Sequence, residues 1–452
     1  MSVTTRRPEL TTDILTEWQM MRDAYVGERG IKYRREEYLP KPGGFNAMPD
    51  NGTAMYNAYL KRARFPEIVG STIRGLLGAI HGQEWQIDLP QALEGMRVRA
   101  TDDGLTLANF SQRVTRELLI TGRYAVMADA PENGGDPYLL GYQAEQFINW
   151  DKGEDFYVFE EIDFVRNDFT WTSVTRSRVL QLDANGKYVQ TIYINDADDN
   201  TEFEELSVQA RGARSLDYVP VAVGGAMDMD LKPDTPPLIG VARAAIAHYQ
   251  LNADYRLQLF MTGQETLIVY NATDLPKVVG AGVIVGLSSA EETKDVRAEY
   301  IGPSGVGIDK HERAMDREQI LAMKTGAQLL DQGGASQESG AARRLRFAAE
   351  TATLNAIANA SASILEKALR FAADLAGANP DEVSVRPPAN LLEGRMDAQM
   401  LSALVSAYEK GAFGYETLYE NLVRGHIANS DRGFDDEQKQ LDQGFLPLDE
   451  QT

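Results

Sequence analysis

The chain has no cysteine in 452 residues. Disulfides and thiolate chemistry are therefore excluded, and a zinc site of the usual kind loses its commonest ligands. Histidine is scarce too: His81, His248, His311 and His426 stand in four separate segments. No stretch approaches the roughly 20 apolar residues that a membrane span needs. The opening "MSVTTRRPELTTDILTEWQMM" lacks the continuous apolar core of a secretory signal. Basic residues are in deficit, 45 Lys and Arg against 67 Asp and Glu, a formal net charge of −22. That balance opposes tight nonspecific binding to DNA, which needs phosphates neutralised by Lys and Arg. With 43% hydrophobic and 25% charged residues, the composition is that of an ordinary globular protein. The expectation is a soluble, acidic, intracellular protein of two to four domains or subdomains.

Catalytic signatures are missing as well. "DADDN" (196–200) alternates carboxylates like the start of a calcium loop, but Thr201 and Ser207 stand where that loop requires Gly and Glu. It reads as a solvated acidic turn. "GAGVIVG" (280–286) has the wrong glycine spacing for a dinucleotide loop and reads as a β-turn. No GxxxxGK[ST] phosphate loop occurs, and "GPSGVG" (302–307) fails the GxSxG nucleophile pattern. No catalytic residue, metal site or cofactor is expected.

What is present is a definite order of elements. Residues 10–30 read as a helix, "LPKPGGF" (39–45) as a loop, and 53–80 as helical with a boundary at Phe65-Pro66. "LTLANFSQRVTRELLITG" (105–122) is an amphipathic helix ending on Gly122. "RYAVMADAP" reads as a strand turning at "ENGGD". From 156 to 195, "FYVFEEIDFVR", "RVLQLD" and "KYVQTIYIN" alternate as strands, with Asn185-Gly186 as a hairpin turn. After "KPDTPP" (232–237) the character changes. Pro236 and Pro237 introduce one helix of about 25 residues, roughly 38 Å long. A β-rich insert (264–308) follows, then a second helix (311–330). A third helical pattern over 340–376 is the longest in the chain, about 55 Å, with Phe347, Leu354, Ile357, Ile364, Leu365, Leu369 and Leu375 near the helical period. "EVSVRPP" (382–388) reads as a strand, 395–428 as two or three helices, and the last residues as an acidic tail. The fold class is α+β, mainly helical.

Between the second helix and the longest one lies "DQGGASQESG" (331–340), ten residues where an ordinary helix–helix turn takes two to eight. "ARRLR" (342–346) follows, carrying Arg343, Arg344 and Arg346. One reading is a solvated helix face with Arg346 paired to Glu350; the other is a basic collar near a passing polyanion.

In this order the segments resemble a portal protein of tailed bacteriophages, the head–tail connector through which DNA is packaged and ejected. Three stretches carry the likeness: "GYQAEQFINWD" (141–151) after the "GRYAVMADAP" strand, "TPPLIGVARAAIAHYQLNADY" at the first long helix, and "EKGAFGYETLYENLV" (409–423). In "AEQFINW" the side chains of Phe147, Ile148 and Trp150 also suit plain strand packing. The resemblance implies an α/β wing (1–235), a stem helix (236–263), a small α/β clip (264–310) and a second stem helix (311–330). A tunnel loop (331–340), a long wing helix and strand (341–390), and a helical crown with acidic tail (391–452) complete it. The loop that would face the channel comprises Asp331, Gln332, Gly333, Gly334, Ala335, Ser336, Gln337, Glu338, Ser339 and Gly340, with Arg343, Arg344 and Arg346 as the collar. Glycines permit the bend, and Ser and Gln meet phosphates without fixed charge.

The family also implies a homo-oligomeric ring, usually of twelve subunits, set at one capsid vertex of the virion after assembly in the host cytoplasm. Its partners would be double-stranded DNA sliding without sequence specificity, the terminase large subunit, the major capsid protein and scaffold, and a head–tail adaptor, with no membrane. Twelve copies would carry roughly 260 net negative charges, which favours sliding over sticking. Ring closure would cover helix faces that one subunit leaves bare. Two other readings are another ring-forming virion or connector protein, and an acidic hydrolase with its site in 120–230.

Overall fold

The structure, a computed structural model, describes residues 3–131, 135–194, 202–206, 215–263, 266–273, 295–302, 305, 307–327, 340–388, 398–424, 427–428, 433–435 and 438–439. It divides into two compact units, Met1–Pro387 and Pro388–Thr452.

The first unit begins with five helices: α1 (Thr12–Val26), α2 (Glu28–Tyr33), α3 (Thr53–Arg62), α4 (Ile68–His81) and α5 (Leu107–Thr121), with the short strand β1 (Gln86–Asp88) before α5. Strands follow: β2 (Arg123–Asp129), β3 (Tyr138–Gln143), β4 (Phe147–Trp150), β5 (Phe156–Asn167), β6 (Thr170–Leu182), β7 (Tyr188–Ile194), β8 (Glu202–Leu206) and β9 (Val221–Gly225). Then come α6 (Ile239–Thr262), β10 (Thr266–Tyr270), β11 (Arg297–Ile301), α7 (Ile308–Ala327), α8 (Gly340–Leu375) and β12 (Ser384–Arg386). Every strand-to-strand pairing described is antiparallel, in sheets β3-β2-β9 and β4-β5-β6-β7-β8 and pairs β1-β12 and β10-β11. The fold is α+β and mainly helical.

Helix ends follow local chemistry. Thr106 Oγ1 accepts from the Asn109 amide at 3.2 Å to start α5, and Gly122 (φ 75°) ends it with its N–H on Leu118 O at 2.9 Å. A Cβ at Gly122 would lie 3.2 Å from the carbonyl oxygen of Thr235, in the segment that leads into α6. The single helix expected over 10–30 is in fact two, because the chain turns at Gly27 (φ 86°). Glu67 decides this from a distance: its carboxylate takes the Glu28 amide at 3.0 Å and occupies the space a side chain at Gly27 would need.

The sheets hold the larger departures. The third β segment, expected to begin near Arg178, begins at Thr170, because every residue from Thr170 to Gln181 pairs with β5. At the Asn185-Gly186 turn only Gly186 has positive φ (69°). The Asp183 carboxylate shapes the loop, accepting from the amides of Asn185 and Lys187 at 2.8 Å each. Strands β1, β3, β8 and β9 were not among the sequence expectations.

The core lies between the three-stranded sheet and α5 and α8. All seven residues of β2 are buried. So are Leu354, Ile357, Ile364, Leu365, Leu369 and Leu375 of α8, interleaved with Ala358, Ala368, Ala372 and Ala373. These residues make a broad apolar face on α8, whose alanines let α5, β2 and β9 approach it, while Asn359, Ser363 and Arg370 stand exposed on the opposite face. Phe147, Ile148 and Trp150 are buried in strand packing. The second unit contains α9 (Ala398–Glu409) and α10 (Tyr415–Arg424). They turn at Gly411 (φ 74°), and Tyr415 and Tyr419 both pack on Phe434.

Candidate functional site

Within the first unit, α6 and α7 with the β10–β11 pair form an antiparallel arm. Gly240 of α6 lies so close to α7 that a Cβ there would sit 2.9 Å from Thr325 Cγ2. Further along, Asn252 Nδ2 meets Met315 Sδ at 3.7 Å, and the Tyr255 hydroxyl donates to Glu312 Oε1 at 2.7 Å. Beyond these, Gln258 closes on Gly307. The paired residue numbers rise and fall in step, so the two helices keep one register over some 27 Å. The strand pair continues it, Thr266 opposite Ile301 through Tyr270 opposite Arg297.

Along most of its length α6 is bound to the rest of the first unit. Arg243 contacts Glu17 at 2.5 Å, Gln250 donates to Tyr38 O at 2.9 Å, and Tyr59 donates to Asp254 at 2.5 Å. Asn252 Oδ1 accepts from the Arg64 amide at 2.8 Å and from Arg256 Nε at 3.0 Å. Arg62 lies over the Phe260 ring, 3.7 Å from its centroid. Apolar side chains face solvent along the arm: Ile320, Leu321 and Met323 on α7 near its root, and Leu259 and Met261 on α6 with Tyr300 and Ile301 on β11 further out. On α7 only Met315 and Ala322 are buried among its described hydrophobic residues. The sequence carried a signal for this, since the run Ile320-Leu321-Ala322-Met323 covers more than one face of a helix.

Of the residues singled out in the sequence, Asp331 to Ser339 lie outside the described residues. Gly340 is the first residue of α8, and Arg343, Arg344 and Arg346 fall within its first seven. That is the helix end whose dipole disfavours cations, by a few tenths of a kcal/mol each. "DADDN", "GAGVIVG" and part of "GPSGVG" also fall outside the described residues. α7 carries Asp309, Glu312, Asp316 and Glu318 against Lys310, Arg313, Arg317 and Lys324, so its charge is balanced.

Ionisable groups in 120–230 are engaged in a network between the two larger sheets. Arg178 contacts Glu161 at 2.7 Å, donates to Gln190 at 2.7 Å and lies 3.9 Å from Asp129. Tyr142 donates to Glu161 at 2.7 Å, and Asp129 accepts from Tyr138 at 3.1 Å and Gln190 at 3.2 Å. Burial raises the Asp129 carboxyl above its usual range, against these hydrogen bonds. Arg123 is buried with its guanidinium 4.3 Å from the centroids of both Phe147 and Trp150, where ring faces replace water. These groups join β-layers, and sequence reasoning picked out none of them because their partners lie on other strands, 9 to 61 residues away.

A family model described as a domain of unknown function (DUF4055) matches residues 237–376, about a third of the chain. It begins just before α6 and ends just after α8, and so covers the arm and the longest helix. No curated protein matches. Among solved structures, the neck of a native GTA particle computed with C12 symmetry is 13% identical with a TM-score of 0.40, over 80% of this chain and 90% of that one. The neck of an empty GTA particle computed with C6 symmetry is 14% identical with a TM-score of 0.40, over 81% and 91%. Likeness at that score carries no argument about function. No helix among the described residues is long and apolar enough to cross a membrane.

Proposed function

We propose that the chain is the subunit of a ring-shaped head–tail connector of the portal type, working without catalysis as a conduit for phage DNA. The supporting observation is the arm: two long antiparallel helices in one register, ending in a β-pair and showing apolar residues to solvent on both helices. A neighbouring arm in a ring would cover those residues, and a lone subunit leaves them wet. The resemblance of the element order to portal proteins points the same way. In this reading the arm is the stem and clip, Asp331 to Gly340 form the tunnel loop, and Arg343, Arg344 and Arg346 the collar behind it. DNA, terminase, capsid protein, scaffold and adaptor are its partners, and the ring has about twelve subunits.

The charge balance of α7 sharpens the DNA part. A channel wall of this helix neither attracts nor strongly repels a polyanion. Free passage then depends on the lack of net positive charge rather than on repulsion. Negative-stain microscopy of the purified chain tests the reading: rings with an axial hole near the width of duplex DNA are expected. Solitary particles at micromolar concentration would reject it.

A further inference from the structure

The pairing of the five-stranded sheet leaves part of it unaccompanied. β4 meets β5 only between Phe147 and Trp150, opposite Tyr157 to Phe159, and β7 meets β6 only from Arg176 to Leu182. Among the described residues, β5 and β6 pair with each other alone from Ile162 to Thr175, in six rows from Ile162↔Thr175 to Asn167↔Thr170. This ribbon extends about 20 Å past the sheet.

Its two faces differ. Strand alternation puts Asp163, Val165, Val174 and Arg176 on one face, where Arg176 and Asp163 form an ion pair at 3.1 Å. The other face carries Ile162, Phe164 and Trp171, which are 62%, 61% and 63% exposed. At the tip Phe169 is 94% exposed, beside Asp168 in a left-handed conformation (φ 53°). Bare aromatic and aliphatic surface here amounts to roughly 500 Å², against about 800 Å² per partner in a standard interface. A two-stranded ribbon is only marginally stable in water by itself, and a long exposed one invites misassembly. Such a surface persists in a soluble chain when it is covered soon after folding.

We propose that this ribbon is a contact between subunits, its Ile162–Phe164–Trp171 face and Phe169 tip seating on a second copy of this chain. The proposal rests on the ring reading. In a closed ring each copy has a neighbour, so one heterologous contact repeats until no ribbon is left bare. It places a subunit contact on the β-sheet body, separate from the α6–α7 arm.

The four tryptophans allow a direct test. Trp18, Trp85 and Trp150 are buried, and Trp171 is the exposed one. Acrylamide should quench Trp171 in dilute monomer and lose access to it as rings form, with Trp171→Phe as the control that removes the signal. The variant Phe164→Ser/Phe169→Ser/Trp171→Ser should keep the circular dichroism and melting of the monomer. It should raise the concentration for half-assembly about tenfold or more in sedimentation velocity. Rings that leave Trp171 as quenchable as the monomer does, or a variant that assembles at the original concentration, overturn this proposal and leave the ring reading standing. A chain that never assembles overturns both.

Discussion

α8 and α7 are both long helices, yet one finishes its core and the other does not. From Leu354 to Leu375, α8 buries a broad apolar face against α5, β2 and β9 and keeps Asn359, Ser363 and Arg370 on its exposed side. Over its 20 residues, α7 leaves Ile320, Leu321 and Met323 about half exposed. The body of the first unit is stabilised by its own packing, whereas the arm and the β5–β6 ribbon are held by it and reach beyond it. The residues that stabilise the body are therefore distinct from the apolar ones this chain leaves exposed.

Cutting the body where its layers join should have the largest effect. Arg178→Ala leaves the buried Asp129 and the half-buried Glu161 without their cation, and a loss of about 3 kcal/mol is expected in urea unfolding. A loss below about 1 kcal/mol would mean that the sheets do not depend on this network. Next come paired leucines. Leu365→Ala in α8 should cost about 3 kcal/mol, because a fully buried side chain leaves a cavity. Leu321→Ala in α7 should cost under about 0.5 kcal/mol in the monomer. Equal losses would erase the contrast between the two helices.

A further effect, smaller than the loss at Leu365, depends on pH. His81 stacks on Trp85 with ring centroids 4.7 Å apart. Its Nε2 meets Thr115 Oγ1 at 2.9 Å, which in turn meets Ser361 at 2.7 Å, joining α4, α5 and α8. Burial pushes its pKa down to about 4. Below about pH 6.5 the unfolded chain takes up a proton that the folded chain resists, so stability should fall as pH drops towards 4. Allowing for partial exposure, the loss is about 1–2 kcal/mol, and His81→Gln should flatten that part of the pH profile. An unchanged slope in the variant would move the acid sensitivity to other groups.

The readable parts of the fold were those whose cause is local. The proline pair before α6, the glycine after α5 and the helical period of α8 are short-range signals, and those elements lie where they predict. The break at Gly27 was not readable, because Glu67 imposes it from the neighbouring helix. The start of β6 at Thr170 was not readable either, since cross-strand pairing with β5, rather than its own alternation, makes that segment a strand. Of the candidate site, the long helices of the arm could be anticipated, and their shared register could not. Register is a relation between residues far apart in the chain, Asn252 and Met315 being 63 positions apart and Gly240 and Thr325 85.

By itself the sequence determined the composition class, the absence of thiol chemistry, the placing of the long helices and the unusual length of the segment between α7 and α8. The tertiary structure decided which helix is interior, which carboxylates are tied to Arg178, and that a ribbon with a bare aromatic face projects from the sheet. Burial and pairing are set by what lies opposite a residue in space, and a linear pattern records only what lies beside it in the chain.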